Sequence, residues 1–231
     1  MKKGLIFLSL LLLVAAPSSA LLRFGFHGGL DQNAQAALTY SFTDDLLGGG
    51  VDIDVSVSAD EIANPYVGGF HLMFDALPVL DFELGVEVAA SPYKLNYSHS
   101  DGVEPGSDSS ESLVFGRLSA YASAKYTIAK LPTLKLQVGG GAGYHMMTPL
   151  FSEALLRTEV AEHGNYTLDV QDILARQAGL GYHALAALRM APAFLPVALN
   201  LEGRYYLLPE NEYGDKTNRF LSLLLGLEFG F

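Results

Sequence analysis

The last twelve residues, 220–231, read F-L-S-L-L-L-G-L-E-F-G-F. Leu221, Leu223, Leu225, Leu227, Phe229 and Phe231 occupy every second position, and an extended strand sends alternate side chains to opposite faces, so all six share one face. Ser222, Gly226, Glu228 and Gly230 take the other. A face that apolar must rest against a dry protein core or against hydrocarbon. The remainder of the chain decides between them.

Met1-Lys2-Lys3, an apolar run over 5–16, and Ser18-Ser19-Ala20 stand in the order of a secretory signal: basic region, apolar region, small-residue cleavage site. The apolar run is shorter than the ~20 residues a spanning helix needs. The reading is therefore a signal peptide over 1–20, cut after Ala20, and one domain over 21–231. The chain has no Cys, which excludes both disulfides and lipid attachment at a new amino-terminus. Nothing else in it is apolar for long enough to be a membrane helix. An export signal, 50% apolar residues and 24 Gly without a helical span favour a closed barrel, the other architecture that satisfies every backbone polar group inside lipid. Trp is absent, so 12 Tyr and 13 Phe are left to supply interfacial girdles.

Three short stretches repeat a pattern: Leu77-Pro78-Val79-Leu80, Leu131-Pro132-Thr133-Leu134 and Leu195-Pro196-Val197-Ala198-Leu199. Each lies between two alternating runs, and proline cannot donate to a strand ladder, so each marks a turn. Three tight turns on one rim and longer loops on the other match barrels with short periplasmic and long extracellular connections. Eight antiparallel strands follow, near 22–30, 65–76, 79–97, 112–129, 133–147, 176–191, 197–208 and 219–231. Their alternation is regular. In the third, Leu80, Phe82, Leu84, Val86 and Val88 oppose Asp81, Glu83 and Glu87; in the seventh, Val197, Leu199, Leu201, Tyr205 and Leu207 oppose Asn200, Glu202, Arg204 and Tyr206. A soluble sandwich shows the same periodicity, so the export signal, the terminal Phe and the loop asymmetry decide for the barrel. Two further alternating runs, 36–42 and 51–57, flank Gly48-Gly49-Gly50. They form either a hairpin above the membrane or two more strands of a ten-stranded barrel; the missing Leu-Pro pattern favours eight. In the third long loop, 150–160 and 170–175 each suit a short helix.

The aromatic-ended last strand resembles the closing strand of bacterial outer-membrane β-barrels. Arg23-Phe24-Gly25-Phe26-His27-Gly28-Gly29-Leu30, followed after a loop by Val67-Gly68-Gly69-Phe70-His71-Leu72-Met73-Phe74-Asp75, resembles the first two strands of the small OmpX-like and OmpA-like barrels. The resemblance covers the strands and not the loops, and the first loop is longer than in typical members. It implies an all-β, eight-stranded, up-and-down transmembrane barrel in the lipid bilayer of the bacterial outer membrane. It also implies insertion by the barrel-assembly machinery, with Leu223, Leu225, Leu227, Phe229 and Phe231 as the assembly signal.

By parity Arg23, Arg117, Lys125, Lys135, Arg189 and Arg204 face inward, against Asp75, Asp81, Glu83, Glu87, Glu202 and Glu228. An eight-stranded bore is just wide enough for side chains to fill, and unpaired buried charge is costly. This lumen network is thus expected to be a structural plug. The loops carry the acidic excess behind the net charge of −11: Asp31, Asp44, Asp45, Asp52, Asp54, Asp60 and Glu61 in the first, without a basic neighbour, and Asp101, Glu104, Asp108 and Glu111 in the second. Such a surface is expected to repel nucleic acid and anionic lipid headgroups unless cations intervene, and it suits divalent cations, although no segment fits a twelve-residue calcium loop. No cofactor is expected, and the chain is read as a monomer.

Gly139-Gly140-Gly141-Ala142-Gly143 lacks the Gly-Lys-Ser/Thr continuation of a phosphate loop and lies within a strand, where close strand approach explains it. His27, His71, His145 and His183 project inward without ligand-like spacing, which favours lumen hydrogen bonding. His99, between Ser98 and Ser100 and just before Asp101 near a loop rim, is the one feature that favours an enzyme acting on surface lipid or peptide. The favoured function is a non-catalytic barrel acting structurally or by surface interaction through its loops. A narrow pore or transporter for small solutes is the alternative, motivated by the inward charges and by the ten-stranded arrangement left open above.

Overall fold

The computed structural model describes residues 22–32, 37–44, 53–100, 107–163, 170–192, 197–208 and 219–230. Among them are ten strands: β1 (Leu22–Gln32), β2 (Leu38–Asp44), β3 (Ile53–Ala59), β4 (Tyr66–Leu77), β5 (Leu80–Ser100), β6 (Ser107–Lys130), β7 (Leu134–Phe151), β8 (Leu174–Met190), β9 (Val197–Leu207) and β10 (Arg219–Gly230). Helix α1 (Glu153–His163) and a 3-10 turn (Val170–Ile173) separate β7 from β8. β1 pairs with both β4 and β10, and β5 with both β4 and β6, so eight strands close an antiparallel ring in the order β1-β4-β5-β6-β7-β8-β9-β10. The ten-stranded alternative does not form. β4 pairs with β5 only up to Ala90, and β3 takes the same edge of β5 from Leu95 to Ser100. The β2–β3 hairpin thus stands above β4 and pairs backbone groups that a long β5 would otherwise leave open.

Turn chemistry sets one rim. Pro78 and Val79 are the two turn residues between β4 and β5, and Leu131 and Leu134 exchange backbone hydrogen bonds of 2.8 and 3.3 Å across Pro132-Thr133. Leu195-Pro196 of the third stretch lies outside the described residues.

Register fixes the shape. From Gly29, paired residues run through Val67, Ala89, Arg117 and Met147 to Gln177 one way, and through Leu224 and Glu202 to Ala187 the other. The two ends meet on β8 with an offset of 187 − 177 = 10 residues. Eight strands with that offset tilt by about 40° and enclose a cylinder of about 8 Å radius, a bore that side chains fill. The same offset brings Tyr66, Tyr144, Tyr182 and Tyr205, all exposed, to one level on the loop side. It brings Phe24, Phe74, Phe82, Tyr126 and Phe229 to a second level about 17 Å nearer the turns. Phe26, Leu84, Val86, Leu201, Leu223 and Leu225 lie exposed between the two rings. An apolar belt between aromatic girdles, around a charged interior, is the surface of a protein that spans a bilayer with its strands.

β5 changes surroundings halfway along. Below Ala89 its inward side chains include buried Asp81, Glu83 and Glu87, while Phe82, Leu84, Val86 and Val88 are exposed on the outside. Above Ser91 the inward positions are Tyr93, Leu95 and Tyr97, all buried, and the outward ones are Lys94, Asn96 and Ser98. Parity is unbroken and the chemistry is exchanged. The upper barrel therefore has the ordinary pattern of a water-soluble protein, with an apolar core of Val55, Val57, Leu95, Leu113, Phe115, Met147, Leu156, Leu208 and their neighbours. Helix α1 closes this core from above. Ser152 caps it, its Oγ accepting from Leu155 N at 3.4 Å, and Leu156 is fully buried. Tyr93 donates to the Pro149 carbonyl at 3.0 Å; burial first, then the Glu111 carboxylate, push its phenol up to about 12. Of the two short helices expected in this loop, the first begins later, because β7 continues to Phe151.

Candidate functional site

Inward parity on all eight ring strands delivers charge to the lumen, and it pairs in three tiers. Nearest the turns, Arg23 meets Asp75, Asp81 at 3.4 Å and Glu228 at 3.0 Å. Arg189 Nε donates to the same Glu228 at 2.6 Å, Gln137 to Asp81 at 2.7 Å, and Lys135 lies 3.7 Å from Asp81. In the middle tier Arg204 donates to Glu83 at 3.0 Å, Glu87 at 2.9 Å and Glu202, with its guanidinium 4.1 Å from the Tyr121 ring centroid. Lys125 joins Glu83 and Glu202 from the opposite side. In the upper tier Arg117 donates to Asp31 at 2.9 Å, Glu87 at 3.2 Å and Ser119 at 2.9 Å. Its guanidinium lies 4.7 Å from the Phe220 ring centroid, where the apolar core begins.

Asp31 corrects one expectation. Assigned to the first loop without a basic neighbour, it is 1% exposed, bonded to Arg117 and to Ser222 Oγ. The reason is that β1 runs on to Gln32, and 31 shares the inward parity of Arg23. Six cations, Arg23, Arg117, Lys125, Lys135, Arg189 and Arg204, thus face seven carboxylates, Asp31, Asp75, Asp81, Glu83, Glu87, Glu202 and Glu228, in place of six against six.

The four inward histidines fill the remaining space. His183 and Ser123 are 2.8 Å apart, as are His145 and Ser119. His27 stacks on His71 with their Nδ1 atoms 3.2 Å apart; His27 Nε2 lies 3.4 Å from Glu87 and His71 Nε2 3.9 Å from Glu228. Beside this pair a cavity of about 10 Å³, lined by His27, His71, Glu83, Asn200, Glu202 and Arg204 among others, has room for one water. The glycine run of β7 makes the packing feasible. A Cβ on Gly141 would stand 2.7 Å from the His183 ring, closer than any side chain tolerates.

Among the described residues no group of three or more His, Asp or Glu is placed to hold a metal. Asp45, Asp52, Asp101 and Glu104 of the acidic loops lie outside them. His99 is the penultimate residue of β5, in register with Val55 and Ser107. On the closing strand Leu223, Leu225 and Leu227 are exposed and Phe229 is half-buried; Phe231 is outside the described residues.

Fold and lumen define a class: an eight-stranded transmembrane β-barrel whose bore is closed by ion pairs below and an apolar core above. No family model matches the chain, and no curated protein does. Among solved structures it is similar to Neisserial surface protein A, with a TM-score of 0.48, 15% identity, and 91% of this chain and 97% of that one covered. It is also similar to Ail, the attachment invasion locus protein of Yersinia pestis, with TM-score 0.45, 10% identity and 92% and 97% covered. A third is the N-terminal β-barrel domain of Pseudomonas aeruginosa OprF, with TM-score 0.40, 11% identity and 91% and 97% covered. Likeness at this level says nothing about activity.

Proposed function

We propose that the chain is exported, loses residues 1–20, and is inserted as a monomer into the bacterial outer membrane by the barrel-assembly machinery, which reads the closing strand. There it acts without catalysis, as a structural and surface-interaction element that holds a rigid platform of β2, β3, the upper halves of β5 and β6, and α1 above the bilayer. The observation that carries this reading is the continuity of the seal. From Arg23 near the turns to Leu156 beneath α1, the bore holds three tiers of paired charge and then packed apolar side chains. A solute-transport reading requires a path, and the cavity beside His27 and His71 has room for a single water.

The test is electrical. Purified protein, inserted in planar bilayers and shown to be folded by its resistance to protease, is expected to give no steady conductance. Reproducible ion-selective steps that shift on Arg117→Ala would overturn the reading in favour of a narrow pore.

A further inference from the structure

Two of the four lumen histidines stand in a slot made of glycine. In register His27 lies between Gly226 on β10 and Gly69 on β4, and His71 between Gly25 on β1 and Gly85 on β5. A Cβ at Gly69 would overlap the His27 ring, and one at Gly25 the His71 ring. The two rings lie 20° from parallel with centroids 5.4 Å apart, and their Nδ1 atoms face each other at 3.2 Å. Each Nε2 meets a carboxylate: His27 Nε2 is 3.4 Å from Glu87 Oε2, and His71 Nε2 is 3.9 Å from Glu228 Oε1. Both Nε2 atoms and Glu228 Oε1 are buried and have no hydrogen-bond partner elsewhere.

Counting hydrogens sets the charge of this pair. A carboxylate oxygen only accepts, so a bare Nε2 beside it would oppose two lone pairs, and both Nε2 atoms therefore carry hydrogen. The facing Nδ1 atoms need one hydrogen between them, because none opposes two lone pairs and two sets N–H against N–H. Four nitrogens thus hold three hydrogens, one more than two neutral imidazoles carry. A second count agrees. Arg and Lys give the lumen six positive charges against seven carboxylates, and an unbalanced buried charge is costly. The charged groups around the pair are already engaged with one another: Arg204 of β9 and Lys125 of β6 with Glu83 of β5 and Glu202 of β9, Arg117 of β6 with Asp31 of β1 and Glu87 of β5. Arg23 of β1 joins Asp75 of β4 and Glu228 of β10, and Arg189 of β8 joins the same Glu228.

We propose that His27 and His71 together bind one extra proton, shared across the Nδ1 contact, and so serve as the seventh cation of the lumen. The proton belongs to the pair rather than to either ring. The inference goes beyond the sealed-bore reading and rests on it. A neutral pair in a non-conducting barrel would sink the inference and leave the seal standing, whereas steady conductance would sink the seal first.

The experiment uses the full chain, labelled with nitrogen-15 at histidine, in phosphatidylcholine nanodiscs at neutral pH, with the ring nitrogens read by NMR, which separates N–H from bare nitrogen. The pair is recognised by coupling across its shared hydrogen bond, so this readout needs no variant. Three protonated nitrogens and one bare one are expected. Two protonated nitrogens, four, or no coupling between the rings would overturn the proposal. A second readout is the folding constant from urea unfolding, followed from neutral to about pH 9, where a histidine in the unfolded chain is uncharged. One proton held only by the folded barrel makes that constant fall as pH rises, by up to about tenfold per pH unit more in the parent than in the His27→Gln, His71→Gln double variant. Equal slopes in parent and variant would overturn the proposal as well.

Discussion

Arg204→Met offers the sharpest energetic test of the sealed lumen. The guanidinium is about 1% exposed and donates to three carboxylates, Glu83, Glu87 and Glu202. Hydrogen bonds to charged groups contribute roughly 1.5–3 kcal/mol each, but the three acids are not orphaned together. Glu83 and Glu202 keep Lys125, and Glu87 keeps Arg117. What remains is the cost of a buried carboxylate excess that rises from one (seven acids against six cations) to two (seven against five). Breaking a buried pair in this way costs about 3–5 kcal/mol. Methionine keeps most of the aliphatic volume and gives up the guanidinium's place over the Tyr121 ring. Adding Glu202→Gln returns the excess to one (six against five), and the double variant should recover at least ~2 kcal/mol of the loss as coupling between contacting residues. The assay is reversible urea unfolding from phospholipid vesicles, followed by the Tyr signal of this Trp-free chain. A loss below ~1 kcal/mol for Arg204→Met, or a double variant no better than the single, would refute the closed electrostatic lumen.

Other outcomes follow from the same geometry. Leu225→Arg, at a 60% exposed position between the girdles, should destabilise the barrel by about 2–4 kcal/mol in the same assay, whereas Ser98→Arg on the outer wall should change it by less than ~0.5 kcal/mol. Gly141→Val should abolish refolding, seen as loss of the compact band on unheated gels, because its Cβ would overlap the Ala122 carbonyl oxygen and stand 2.7 Å from the His183 ring. Leu95→Ala should cost about 2–5 kcal/mol as a core cavity, yet leave the lumen tiers below it intact, so hydrogen exchange should rise in β3 and α1 before it rises in β9 and β10.

Much of this was readable in the sequence, and the gaps have physical causes. The eight ring strands, the first two tight turns and the inward parity of Arg23 through Glu228 are consequences of a period of two, which one chain displays without help. Asp31 was legible too: the parity of Arg23 extends to it, and only a strand boundary placed two residues short assigned it to a loop. The exchange of chemistry along β5 was harder. Tyr93, Leu95 and Tyr97 alternate with Lys94, Asn96 and Ser98 as cleanly as the residues below them, so the period alone does not reveal that water has replaced lipid outside. The sign of the alternation does. The position of the β2–β3 hairpin above β4 is a tertiary fact, fixed by the open edge of β5 rather than by any residue within the hairpin.

The central claim is that one set of strand faces meets hydrocarbon, the other is sealed, and the two exchange partners above Ala90. The absence of cysteine permits a direct measurement, in which single Val86→Cys, Ser123→Cys and Asn96→Cys variants carry a thiol-reactive fluorophore in bilayers with brominated acyl chains. The account predicts strong quenching at 86, no labelling of the folded protein at 123, and free labelling by a water-soluble reagent without quenching at 96. Quenching at 123, or an accessible and unquenched 86, would contradict it.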